Sequence, residues 1–316
     1  MQLPYVHRVT KYDPADRDEH GHYTGTEDTA SDHGEVEAAY VQAVGAFAAE
    51  AGVDRLSVRE PQVPSLAHFG VEPPLEGFGL AGIFPAGLTG FHDGAEVPLE
   101  VGLELVRLML RDSGAWCRLE AEGSFAVHVG LDQYLYVGSS RPCEEALVRT
   151  RALGLFPERI DASPYDMVTN EEDVRRPADD DFWAALRRAV VMCSAGLLEE
   201  MYIRGASQWH RLTPDTIDTV RAGITPRARL AVWPDLSSDT EAVLGTLLAD
   251  GLVEGVWQDK DGRIHSAVAD EDDLPELAAR ISGAEAATLR SVYADEDAPL
   301  LTAVMPDGDG VVRARW

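Results

Sequence analysis

The segment Asp16-Arg-Asp-Glu-His-Gly-His-Tyr-Thr-Gly-Thr-Glu27 holds the densest set of metal-ligating side chains in the chain. It nearly reproduces the calcium loop D-x-[DN]-x-[DN]-G-x5-E, with Asp16, Asp18, Gly21 and Glu27 on the pattern and His20 off it. Hard cations take oxygen ligands at that spacing, so Ca2+ or another divalent cation is the cofactor such a loop would hold. A metal-dependent hydrolase is the activity it would serve. Two features oppose this: His20 offers nitrogen, and Pro14, in a strand-like context, removes the first flanking helix of an EF-hand. The alternative is a solvated acidic loop. His7, His20, His22 and His33 lie near Asp13, Asp16 and Asp18, a composition that also suits a transition metal. No two of these histidines have helical i, i+4 spacing, however, and HExxH is absent.

Two further sets could bind anions or bases. Arg227 with Arg229, and Arg313 with Arg315, are i, i+2 pairs, so each pair shares one face of a strand. Four guanidinium groups brought together would suit phosphate or carboxylate, and the alternative is pairing with local Asp and Glu. Tyr134 and Tyr136 alternate onto one sheet face, as do Ala126 and His128 on the preceding strand. Such tyrosines either stack bases or pack beneath a helix, and the apolar Leu135 and Val137 on the opposite face favour a sheet covered on both sides.

Other motifs exclude more than they suggest. Gly77-Phe-Gly-Leu-Ala-Gly82 spells G-x-G-x-x-G but lies between Pro73-Pro74 and Pro85, without the strand and helix a dinucleotide site requires, and reads as a glycine-rich loop. Lys11 and Lys260 are the only lysines, and neither sits in a phosphate-binding loop. G-x-S-x-G is absent. Cys117, Cys143 and Cys193 are widely spaced, which argues against a disulfide framework or a thiolate zinc site. Cys117 and Cys193 read as core. At Cys143 a helix start would lower the thiol pKa while Glu144 and Glu145 would raise it.

The elements around these residues predict an α+β fold. A strand over Tyr5 to Tyr12 precedes the polar loop, and a helix begins near Asp32 and Glu35. Arg55 to Arg59 is a strand and Leu99 to Leu110 an amphipathic helix. Trp116 to Glu122, Phe125 to Leu131 and Tyr134 to Ser139 form an antiparallel meander, followed by a helix from Pro142 to Gly154. Residues 1–169 are thus an N-terminal α+β domain, and 170–225 an acidic link with a helical connector whose long helix starts at Asp181 and runs through Arg204. A short helix begins at Thr213. Residues 226–316 spell β-α-β-β-α-β, a ferredoxin-like unit, with strands at Arg229 to Trp233, Val253 to Trp257, Ile264 to Val268 and Leu300 to Met305 and helices at Asp239 to Ala249 and Leu274 to Val292. An extra terminal strand covers Val311 to Trp316.

With 27 Lys plus Arg against 55 Asp plus Glu, the net charge is 27 − 55 = −28. That field repels polyanions and anionic membranes and favours cationic partners or metal ions. No apolar signal core opens the chain, and no stretch nears the roughly 18 apolar residues of a membrane helix, so a cytoplasmic location without membrane contact is expected.

At YVHRVTKYDPADRDEHGHY, VHVGLDQYLYVGSS and ALGLFPERIDASPY the chain resembles an uncharacterised actinobacterial protein family whose members are sometimes labelled RNA-binding. The resemblance covers most of the chain and carries no catalytic motif. It implies RNA as a partner, an implication that runs against the charge, and no DNA partner is expected. The third strand of the C-terminal unit, Arg263-Ile-His-Ser-Ala-Val-Ala, also lacks the aromatic residues of an RNA-recognition motif. A non-catalytic interaction or regulatory protein is the expectation, with a protein partner or the RNA that only the resemblance implies.

Overall fold

The structure, a computed structural model, describes residues 3–20, 22–26, 31–64, 76–85, 88–130, 132–165, 176–247, 252–292 and 297–314. It is an α+β protein of two compact units, Met1–Glu172 with Ile203–Ala206 and Ala314–Trp316, and Asp173–Tyr202 with Ser207–Arg313. No helix among the described residues is long and apolar enough to cross a membrane.

The first unit contains β1 (Tyr5–Thr10), α1 (Gly34–Ala51), β2 (Arg55–Gln62), β3 (Glu96–Pro98), α2 (Leu99–Leu110), β4 (Trp116–Ala121), β5 (Phe125–Val129), β6 (Leu135–Ser139), α3 (Glu144–Ala152) and β7 (Phe156–Ile160). Its strands make one sheet in the order β3-β2-β4-β5-β6-β1-β7. The expected meander is its centre, β4-β5-β6. The N-terminal strand joins outside it, pairing on one edge with β6 and on the other with β7.

Alternation along the strands decides what each face does. His7 meets Phe47 of α1 at 5.9 Å between ring centroids, so His7 and its partner Val137 face the helices. With Leu56, Val58, Leu119 and Val127 they form a core that excludes water. Residues one step along, Arg8, Tyr136 and His128, therefore lie on the opposite face.

The second unit contains α4 (Asp180–Val191), β8 (Leu197–Ile203) and β9 (Ala206–Arg211) apart from their end residues Ile203 and Ala206, α5 (Ile217–Gly223), β10 (Arg229–Trp233), α6 (Thr240–Leu244), β11 (Val253–Gln258), β12 (Ile264–Ala269), α7 (Leu274–Ser282), β13 (Ala286–Ser291) and β14 (Leu301–Val304). The long helix expected from Asp181 to Arg204 stops at Val191, and Leu197 onward is strand. The run Leu197-Leu-Glu-Glu-Met-Tyr-Ile is extended because both its neighbours are strands: β10 along one side and, after a turn at Gly205, β9 along the other. Likewise the helix expected to reach Val292 ends at Ser282, and Ala286–Ser291 pairs with β11.

These strands carry the order β-α-β-β-α-β but not one ferredoxin-like sheet. A strand has two edges, and those of β10 are taken by β8 and β14, in the sheet β14-β10-β8-β9. Strands β12-β11-β13 form a second sheet. Leu197, Trp209, Ala231, Trp233, Val256 and Ala286 pack where the two sheets meet. Outside them lie α4 and α5 on one side, with Trp183 and Leu186, and α7 on the other, with Leu277 and Ile281. Residues 311–314 form no strand; Asp307 to Gly310 turns as expected, and Arg313 folds back onto Asp307 and Asp309.

Candidate functional site

On the sheet face of the first unit away from its helices, cross-strand register sets Glu158, Arg8, Tyr136 and His128 side by side, from β7 through β1 and β6 to β5. Arg118 of β4 and Arg59 of β2 form another register pair on this sheet. Glu158 accepts from Arg8 at 2.6 Å. Burial opposes the Arg8 charge, but Glu158 outweighs it and raises the guanidinium above its ordinary value. Asp93 and Glu60 take Arg59 and Arg118 at 3.0 and 3.2 Å.

Aromatic rings run along this row from the interior outward. His128 stacks on Tyr136 at 5.2 Å with 12° between planes, and Tyr165 meets Tyr136 edge-on at 5.4 Å. Tyr136 is buried and donates its hydroxyl to Asp132 Oδ2 at 2.7 Å; burial first, then Asp132, raises its pKa. Tyr134, just before β6, is half-buried, with the Arg8 guanidinium 5.5 Å from its ring centre. Tyr12 lies 6.0 Å from Tyr134 and 4.9 Å from Tyr23, and Lys11 stands 5.5 Å over Tyr12. The sequence named Tyr134 and Tyr136; Tyr12, Tyr23 and Arg8 join them only through the pairing of β1 with β6. Arg8, at the strand position that alternates onto the face opposite His7, was the one available signal.

Ser163 Oγ lies 3.0 Å from His128 Nε2, an arrangement that elsewhere makes a nucleophile and its base. Its chemistry here is different. Burial first, then Arg118, holds the imidazole down to about 3, too weak a base to draw a proton from a serine. The oxygen of Ser163 also accepts the Tyr165 N–H at 3.2 Å, so the pair ties the chain after β7 to the sheet.

The metal loop has a structural use. Asp18 accepts the N–H groups of His20 and His22 at 2.9 and 2.8 Å, and the Asp16 carbonyl accepts from Thr24, closing a tight turn around an Arg17–Tyr23 bridge. Glu27 lies outside the described residues. Among those described, no three His, Cys, Asp or Glu side chains are grouped as a metal would need.

The arginine set meets in part. Arg227 forks onto Asp307 at 2.7 and 2.9 Å, and Arg313 reaches the same carboxylate at 2.8 Å and Asp309 at 2.6 Å. Two arginines thus face two aspartates. Arg229 is exposed at the start of β10, and Arg315 lies outside the described residues. Of the cysteines, Cys117 and Cys143 are buried and burial raises both thiols, whereas Cys193 is exposed in the turn that ends α4, not in the core.

Gly77, Phe78 and Gly79 take left-handed backbone angles in a tight turn, and at Gly79 a Cβ would come 2.8 Å from Leu108. Gly79 thus serves a close approach to α2. The chain matches no protein-family model, no curated protein and no solved structure.

Proposed function

We propose that this chain is a non-catalytic interaction protein that receives a basic segment of a protein partner on the half-exposed tyrosines Tyr12, Tyr23 and Tyr134. The observation that carries this reading is the company those rings keep. The turn that presents Tyr23 also carries the exposed carboxylates Asp16, Asp18 and Glu19, while Arg8 and Lys11 already lie over two of the rings. Aromatic faces beside carboxylates attract guanidinium and ammonium groups, each contact worth about 0.5–1 kcal/mol at an exposed site. A net charge of −28 steers a cationic partner toward the protein.

Single-stranded RNA, the partner implied by the resemblance, is the second reading, because the same rings would stack bases. Against it, Glu158 and Asp32 already hold Arg8 and Lys11. Fluorescence anisotropy with an arginine-rich peptide and with single-stranded RNA, both at low salt, separates the two. The peptide should bind, more weakly as salt rises, and Tyr134→Ala should lower its affinity about three- to fivefold. RNA binding without peptide binding would reverse the assignment, and binding of neither would end both.

A further inference from the structure

Between its two sheets the second unit encloses an ion cluster with more acid than base. The guanidinium carbon of Arg290, on β13, stands 3.2 Å from the ring centre of Trp233 on β10 and 5.2 Å from that of Trp209 on β9. Its NH1 lies 3.3 Å from Glu199 on β8 and 3.5 Å from Glu254 on β11, and its Nε lies 3.5 Å from Asp297. The side chains of Arg290, Glu199 and Glu254 are 11, 10 and 17% exposed, so water screens them little. One cation therefore faces three carboxylates, two of them from different sheets.

The two glutamates are not equivalent. Glu199 accepts from Ser207 Oγ at 2.8 Å and from the Trp233 indole N–H at 3.1 Å. Glu254 sits opposite Arg290 in the strand register and shares that guanidinium with Glu199. Two like charges on one buried cation are costly, and a proton on one carboxyl relieves the cost.

We propose that the Glu199–Arg290–Glu254 cluster is a proton-operated latch between the two sheets, closed when Glu254 carries a proton and loosened when it does not. Among the described residues, the charged groups acting on Glu254 are Glu199 from β8 and Arg290 from β13, and Asp297 meets the Nε of that arginine. Strands β9, β10 and β12 contribute the uncharged Trp209, Trp233 and Ser266. Burial first, then Glu199, pushes the Glu254 carboxyl up to about 7, against the pull of Arg290, Trp209 and Ser266. A carboxyl raised on folding stabilises fully below its ordinary value and loses that contribution as pH rises through the folded one. The latch therefore weakens progressively as pH rises from the ordinary carboxyl value toward about 7 and is fully loosened above it.

Amide hydrogen exchange in β8, β10, β11 and β13, corrected for the intrinsic pH effect, tests it on the whole protein. Protection should fall by up to about tenfold per pH unit between roughly pH 5 and 7 and then level off. Glu254→Gln should flatten the profile, while Glu276→Gln, on an exposed α7 pair, should leave it unchanged. A flat profile in the parent, or an unaltered one in Glu254→Gln, overturns the latch. Should Glu254→Gln fail to fold, 13C-glutamate NMR of the parent decides: one buried carboxyl titrating near neutrality supports the latch, and titration of every glutamate below about pH 5.5 refutes it.

Discussion

Acid should weaken the first unit through His128, and the size of the effect follows from its surroundings. The imidazole is 3% exposed, stacked on Tyr136, bonded to Ser163 and close to the positive charge of Arg118. Burial and Arg118 hold its pKa down to about 3 in the folded protein, against 6.5 for an ordinary histidine. Below pH 6.5 the unfolded chain gains a proton that the folded chain refuses. A depressed histidine thus stabilises fully above its unfolded value and progressively less as pH falls toward the folded one. Each unit corresponds to about 1.4 kcal/mol, so this residue alone should cost about 2 kcal/mol between pH 6.5 and 5 and about 3 kcal/mol by pH 4. The assay is urea unfolding across that range, following amides of β4, β5 and β6. His128→Phe keeps a ring against Tyr136 but cannot titrate. It should begin about 1 kcal/mol less stable at pH 7.5, having lost the Ser163 bond, and then decline with a slope smaller by about one proton. His7, held near 4 by burial and by Arg159 and Arg151, supplies part of the remaining slope. If His128→Phe and the parent decline in parallel from pH 6.5 to 4, the assignment of a buried neutral imidazole is wrong.

Two further outcomes follow from ion pairs that join distant segments. Glu37, a buried residue of α1, receives Arg107 at 3.0 Å and Arg111 at 2.5 Å from α2 and its C-terminus. Glu37→Ala should lower stability by about 1–3 kcal/mol in urea titration, below the cost of a fully buried pair because both arginines rehydrate; an unchanged midpoint would show that the pairs add nothing. Asp307→Asn should remove the carboxylate that Arg227 forks onto, while Arg313 stays on Asp309. Affinity for single-stranded RNA at low salt should then rise and its salt slope steepen by about one, whereas no gain would remove this edge as an anion site.

Much of the first unit could be read from local pattern. The boundaries of α2 coincide with the Leu99 to Leu110 stripe, and the meander and its turns lie where alternation and turn residues place them. Such signals are local: a 3.6-residue or 2-residue period and the residues that break it. The order of strands is not local. Nothing near Tyr5 specifies that β1 inserts between β6 and β7, yet that pairing brings Arg8 and Tyr12 to Tyr134 and creates the candidate site. The same holds for Leu197 to Ile203, whose apolar and acidic residues fit a helix as well as a strand until β9 and β10 bond to its edges. Occupation of both β10 edges also divides the C-terminal elements into two sheets and so encloses Glu199, Arg290 and Glu254 together. Composition determined the sign of the protein's field and the chemistry its surface favours. Tertiary pairing decided which charges meet, because backbone hydrogen bonds between strands join residues far apart in sequence that no local period relates.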